Sequence, residues 1–247
     1  MLTTKKHTAL FLLSTLLTLP ILSFSQKSEK QLGLGTGWYH HSFSDPTIAT
    51  SSNIGSSVPI LLFFRSNGEK NRHHVQLLYA TPTLKSTYLS SREQTGYLQY
   101  AYHRKIGSFK VVDFFGGGLI EFSGFSRKYS EIGNRYSFLN PYQEAGVIGS
   151  LYPSLLVELP TAKNKFSIQS WITSFGSISP LSRLSAIEYL GLNDFFKIES
   201  RASYCKYFSI RWEGRVDYQF QYYALSKDQK FSSSTHQLNF SMIYRFR

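Results

Sequence analysis

Residues 208–223 read Phe-Ser-Ile-Arg-Trp-Glu-Gly-Arg-Val-Asp-Tyr-Gln-Phe-Gln-Tyr-Tyr. Ile210, Trp212, Gly214, Val216, Tyr218, Phe220 and Tyr222 occupy every second position, and Ser209, Arg211, Glu213, Arg215, Asp217, Gln219 and Gln221 fill the gaps. Successive strand side chains point to opposite faces, so this is a strand with one apolar, aromatic face and one face carrying charges of both signs. A strand of a soluble sandwich runs nearer six residues and coats its polar face for water. This one is longer, and its polar face holds oppositely charged neighbours.

The same pattern returns elsewhere. Leu238, Phe240, Met242, Tyr244 and Phe246 oppose Gln237, Asn239, Ser241 and Arg245, with Ile243 out of phase. Leu98, Tyr100 and Tyr102 oppose Gln99, Ala101 and His103. Extending the reading gives ten strands near 31–41, 58–65, 72–81, 95–105, 110–122, 143–159, 166–176, 194–204, 208–223 and 235–246, or eight if 58–65 or 194–204 is loop. The connections alternate in length. Those at 42–57, 82–94, 123–142, 177–193 and 224–234 are long, while 66–71, 106–109, 160–165 and 205–207 are short and rich in turn residues.

The composition agrees with this reading. The chain has 247 residues, 16% of them aromatic, and a formal net charge of +12. Its single cysteine, Cys205, excludes an internal disulfide framework and a cysteine-based zinc site. Residues 1–25 begin with Lys5 and Lys6, continue through an apolar stretch from Ala9 to Leu22, and end in Ser23-Phe24-Ser25, the layout of a cleaved secretory signal peptide. The longest later apolar run, Val58 to Phe64, is far too short for a spanning helix. A membrane role therefore requires a closed barrel, which leaves no unpaired backbone groups in lipid. Long–short alternation over an even number of strands is the pattern of such barrels. The domain division is then 1–25 signal peptide and 26–247 barrel.

On the signal segment and the closing strand Gln237-Leu-Asn-Phe-Ser-Met-Ile-Tyr-Arg-Phe246, the chain resembles the small outer-membrane β-barrel proteins of Gram-negative bacteria. The resemblance implies an all-β, single antiparallel transmembrane barrel of about ten strands, located in the outer membrane and displayed at the cell surface. It implies outer-membrane lipid and lipopolysaccharide as surroundings, and the barrel assembly machinery as a partner reading the last strand. Arg247 follows the terminal aromatic, a departure from that family's ending.

With the aromatic face toward lipid, the lumen receives Lys197, Glu199 and Arg201 from one strand and Arg211, Glu213, Arg215 and Asp217 from the next, joined by Arg245, Asp113, Glu121 and Glu158. Mixed signs in a narrow barrel predict a plug of ion pairs rather than a filter, which favours one sign. Trp38, Tyr100, Tyr102, Trp212, Tyr222, Tyr223 and Tyr244 are expected as interfacial girdles. The long segment 123–142 carries Arg127, Lys128, Tyr129, Arg135 and Tyr136, a mixture suited to recognition at an exposed loop.

Catalytic motifs are sparse. There is no H-E-x-x-H or G-x-S-x-G, and Gly33, Gly35 and Gly37 precede no helix, so they mark crowding on one barrel face rather than a nucleotide loop. No cofactor, metal or nucleic-acid partner is expected. The favoured reading is non-catalytic. Its competitors are a lipid A-modifying hydrolase with Ser42 as nucleophile and His40 or His236 as base, where the first and last strands meet, a small gated pore, and a soluble periplasmic β-sandwich.

Overall fold

A computed structural model describes residues 28–44, 52–86, 89–161, 163–172, 175–180, 188–190, 195–225 and 231–246, apart from 132–142. The expected signal peptide lies outside the described residues. The strands are β1 (Glu29–Ser44), β2 (Asn53–Ser57), β3 (Ile60–Asn67), β4 (Asn71–Ala80), β5 (Thr83–Lys85), β6 (Leu89–Phe109), β7 (Val112–Glu131), β8 (Gln143–Pro160), β9 (Asn164–Ile172), β10 (Phe175–Pro180), β11 (Glu188–Leu190), β12 (Phe195–Tyr207), β13 (Trp212–Leu225) and β14 (Phe231–Phe246).

These fourteen pieces make ten staves. β2 and β3 pair with β1 in one continuous register, broken only at Val58-Pro59, where the Thr36 hydroxyl donates to the Pro59 carbonyl at 2.9 Å. β4 with β5, β9 with β10, and β11 with β12 likewise continue one another along their partners. Every neighbouring pair is antiparallel, and the first stave returns to the last: β1 meets β14 from Lys30 opposite Phe246 to Ser44 opposite Ser232. The ring is closed, with no free edge.

The side chains alternate as the sequence predicts. Leu32, Leu34, Ile60, Leu62, Trp212, Tyr218, Phe240 and Met242 are exposed on the outside, while Gln31, Glu213, Arg215, Asp217, Gln237 and Asn239 are buried inside. The lumen is less uniformly polar than expected. Leu61, Phe63, Leu78, Tyr97 and Ile243 form one inward apolar cluster, and Ala101, Leu119, Tyr152 and Trp171 another. In an all-apolar run such as Ile60-Leu-Leu-Phe-Phe64 period two sends alternate residues to each side, so an apolar residue goes inside whatever its polarity. Ile243, out of phase with its polar neighbours, is one of these and is fully buried. Gly33 belongs here too: a Cβ on it would strike the Phe63 ring, so its absence lets a phenyl group lie across the barrel.

Several boundaries differ from the sequence reading. The turn expected at 106–109 is Lys110-Val111, with Lys110 at φ 54° and a bulge between Lys105 and Gly107. The turn expected at 205–207 lies at 208–211, so Cys205 is not in a turn but in β12, buried against the lumen. At the opposite end the strands run well into the segments read as loops: β6 begins at Leu89 and β7 continues to Glu131. There both faces are polar, so the apolar alternation that marks a strand fades before the strand ends.

Candidate functional site

The centre of the lumen is organised around Glu199 on β12. Its carboxylate accepts from Trp171 Nε1 and Gln221 Nε2, each at 3.1 Å, from Gln99 Nε2 at 3.4 Å, and from Gln219 Nε2. Lys197, two positions earlier on the same face, donates to Glu121 Oε1 at 2.5 Å and stands 3.7 Å from Glu199. Arg201, two positions later, donates to Gln219 Oε1 at 2.7 Å and comes within 3.9 Å of Glu199. All three β12 charges are 3% exposed or less. A buried carboxylate is tolerable when donors replace its water shell, and here β6, β9 and β13 contribute them alongside the cations of β12 itself.

The remaining predicted lumen charges fall in two groups. Glu213, Arg215 and Asp217 are buried on β13, Arg215 pairing with Asp217 and donating to Ser203 at 2.8 Å. Glu158 is also inside, held by Arg72 at 3.1 Å and Lys165 at 2.5 Å, with the Arg72 guanidinium 4.5 Å above the Phe115 ring. The others sit elsewhere. Arg211 occupies the 208–211 turn and is exposed, because β13 starts one residue after it. Arg245 lies at the rim, pairing with Glu29, and Asp113 lies at the 110–111 turn, 2.6 Å from Lys105. Tyr223, expected in the outer girdle, points inward beside Ser233.

One inward constellation escaped sequence reading. His41 Nε2 lies 2.6 Å from Ser233 Oγ, and His41 Nδ1 lies 3.0 Å from Glu93 Oε1. Arg127 pairs with the other oxygen of Glu93, its guanidinium 3.6 Å above Phe43 and 4.9 Å from Phe125. All four residues are buried, near the barrel end opposite the termini. Arg127 is thus a lumen residue rather than a loop residue. Lys128 faces outward and is exposed, Tyr129 lies within β7, and Arg135 and Tyr136 lie outside the described residues. Only the register, not the sequence, brings His41 opposite Thr235 and within reach of Ser233.

The outward hydrolase candidates are partly assembled. His40 and His236 are direct partners across the β1–β14 ladder, with ring centroids 6.4 Å apart. Ser42 is also outward, but the hydroxyl against His40 Nδ1 belongs to Ser56, at 2.9 Å. His236 Nδ1 meets the Tyr218 hydroxyl at 2.8 Å, and Trp38 stacks on His40 at 5.2 Å. Among the described residues no carboxylate stands behind either imidazole. The arrangement is that of an aromatic belt with hydrogen-bonded histidines.

A closed antiparallel ring with an apolar outside and a polar, packed inside can exist only with lipid around it. No protein-family model matches the sequence, and no curated protein matches it. Solved structures do. The outer-membrane protease OmpT of Escherichia coli is similar at a TM-score of 0.55 and 8% identity, over 91% of this chain and 99% of that one. The chain has the outer-membrane β-barrel fold. The translocator domain of the autotransporter NalP of Neisseria meningitidis aligns over 98% of both chains at 10% identity, with a TM-score of 0.49. The attachment invasion locus protein Ail of Yersinia pestis aligns over 90% of this chain and all of that one at 11% identity and 0.41.

The described ends of the chain and the tight turns gather at one end of the barrel, and the strands run on furthest at the other. Asp113, at one of those turns, is held below the usual carboxylate range by the Lys105 ammonium and the Ser108 hydroxyl, which both donate to it. It keeps that turn closed above the ordinary carboxylate pKa and loses the effect as pH falls through its own.

Proposed function

We propose that this barrel is a non-conducting outer-membrane scaffold. The polar network centred on Glu199 bridges the lumen, and the outer strand ends and connections carry recognition. The carrying observation is that Glu199, Lys197 and Arg201 are buried and cross-linked to four other strands. Among the described residues two lumen cavities have volumes of about 40 Å³ each, room for about three waters apiece. Charges of both signs at one level hold each other in place, whereas a filter concentrates one sign. With Arg127 drawn inside, recognition falls to Lys128, Tyr129 and the aromatic and basic residues that follow, Arg135 and Tyr136 among them. Liposome swelling tests the reading: proteoliposomes should take up small sugars no faster than empty ones, and rapid uptake would overturn it.

A second reading is favoured by one observation, the Ser233–His41–Glu93 chain, which has the spacing of nucleophile, base and orienting acid. In this reading the inner face near the outer mouth, not the outward His40–Ser42 pair, carries hydrolysis. Burial of Ser233 and the Arg127 clamp on Glu93 weigh against turnover. A fluorophosphonate probe separates the readings: absence of labelling on the folded protein supports the scaffold, and labelling lost in Ser233→Ala supports the hydrolase.

A further inference from the structure

On β6 and β7 the outward face changes character toward the outer end. Going outward, β6 shows Tyr102, Tyr100, Leu98, Gly96, Gln94 and Arg92, and β7 shows Ile120, Phe122, Gly124, Ser126 and Lys128. Arg92 and Lys128 are directly opposite each other across the ladder, and both are exposed. Lys85 on β5 is exposed on the same face, diagonal to Arg92, whose direct partner there is Thr83. Like charges placed directly opposite weaken a ladder, so this pairing is unfavourable unless something stands between them. Among the described residues none of the three has an ion-pair or hydrogen-bond partner. Glu93 and Glu121, the nearest carboxylates on these strands whose side chains are described, point into the lumen.

The height of the cluster is informative. Arg104 is the exposed cation at the other end of the same face of β6. Between Arg104 and Arg92 the chain covers about 40 Å at ~3.3 Å per residue, or about 30 Å of height at a strand tilt of about 40°. That is the thickness of the hydrocarbon layer, so Arg104 and Arg92 sit at its two headgroup levels.

We infer that Arg92, Lys128 and Lys85 form a binding site for a phosphate of the phosphorylated glycolipid, lipid A, that surrounds the barrel in the outer leaflet. An arginine fork takes two phosphate oxygens, and the two ammonium groups supply point charges on either side. The acyl chains then lie along Tyr79, Leu98 and Phe122, four to six ladder positions below Arg92 and past Gln94, Ser126 and two glycines. A dianionic phosphate relieves the Arg92–Lys128 repulsion, which gives this unpaired cluster a physical reason.

The test uses the full barrel, purified in non-ionic detergent and titrated with bisphosphorylated lipid A, with binding read by native mass spectrometry. Arg92→Gln/Lys128→Gln should bind at least about tenfold more weakly, while Arg104→Gln/Lys206→Gln, at the periplasmic end, should bind as the parent does. Heat-modifiable migration confirms that each variant is folded, and Lys128→Gln alone serves if the double variant is not. Unchanged binding by the folded outer-end variant overturns the inference. So does equally tight binding of lipid A stripped of its phosphates, or of phosphatidylglycerol, which would mean no site specific to lipid A.

Discussion

Lys197 shows how much one side chain is asked to do. Its ammonium sits between Glu121 and Glu199, and all three are buried. Replacing it with methionine keeps the volume and leaves two carboxylates facing each other without the ammonium between them. Removing one partner of a buried pair costs about 3–5 kcal/mol, so Lys197→Met should lower the urea midpoint of the refolded barrel by a corresponding amount. Pairing it with Glu121→Leu should recover part of the loss. Trp171→Phe is the milder case. It removes one of several donors to Glu199 and should cost about 1–3 kcal/mol in the same measurement. The identity of the lumen charges on β12 was legible from alternation, because parity alone sends Lys197, Glu199 and Arg201 to one face. Their partners were not. That Trp171, Gln99 and Gln221 converge on Glu199 depends on the stagger of four strands, which no single strand records.

At the scale of the strand, the middle of each stave was readable and its outer end was not. Within the lipid-facing band one face must be apolar, so period two is written plainly in 208–223 and 237–246. Beyond the band water reaches both faces, and β7 continues through Ser126, Arg127 and Lys128 with no apolar rhythm to mark it. Arg127 therefore reads as a loop residue in the sequence although its guanidinium is buried over the Phe43 ring. The His41–Ser233 contact leaves no mark in the sequence for a related reason: β1 and β14 are at opposite ends of the chain, and only their register brings the two side chains together. That seam makes its own prediction. Gly37 faces Asn239 across it, and a Cβ there would run into the Leu238 carbonyl. Gly37→Val should strain closure by about 1–3 kcal/mol. It should appear as a lower urea midpoint and a larger unfolded band on an unheated gel, with no such change for the outward, lipid-facing Leu34→Ile on the same strand.

For the whole molecule, ring closure and filling are separate properties. Closure follows from the antiparallel pairing of every stave with two neighbours, ending at β1 against β14. It predicts that the unheated protein migrates differently from the boiled one in detergent gels. Filling is the proposed property: it rests on the side chains, and it is what would set this barrel apart from a porin. Ten strands leave an interior little wider than the eight-stranded case that side chains can fill. The residues supplied to it include Phe63, Trp171 and Tyr152 as well as the charges. The most direct test is single-channel recording of the refolded protein in a planar bilayer. The filled lumen predicts no stable conductance steps in the parent, and steps only when Lys197 and Glu121 are both cut back to alanine. Large, long-lived open-channel currents from the parent protein would contradict it.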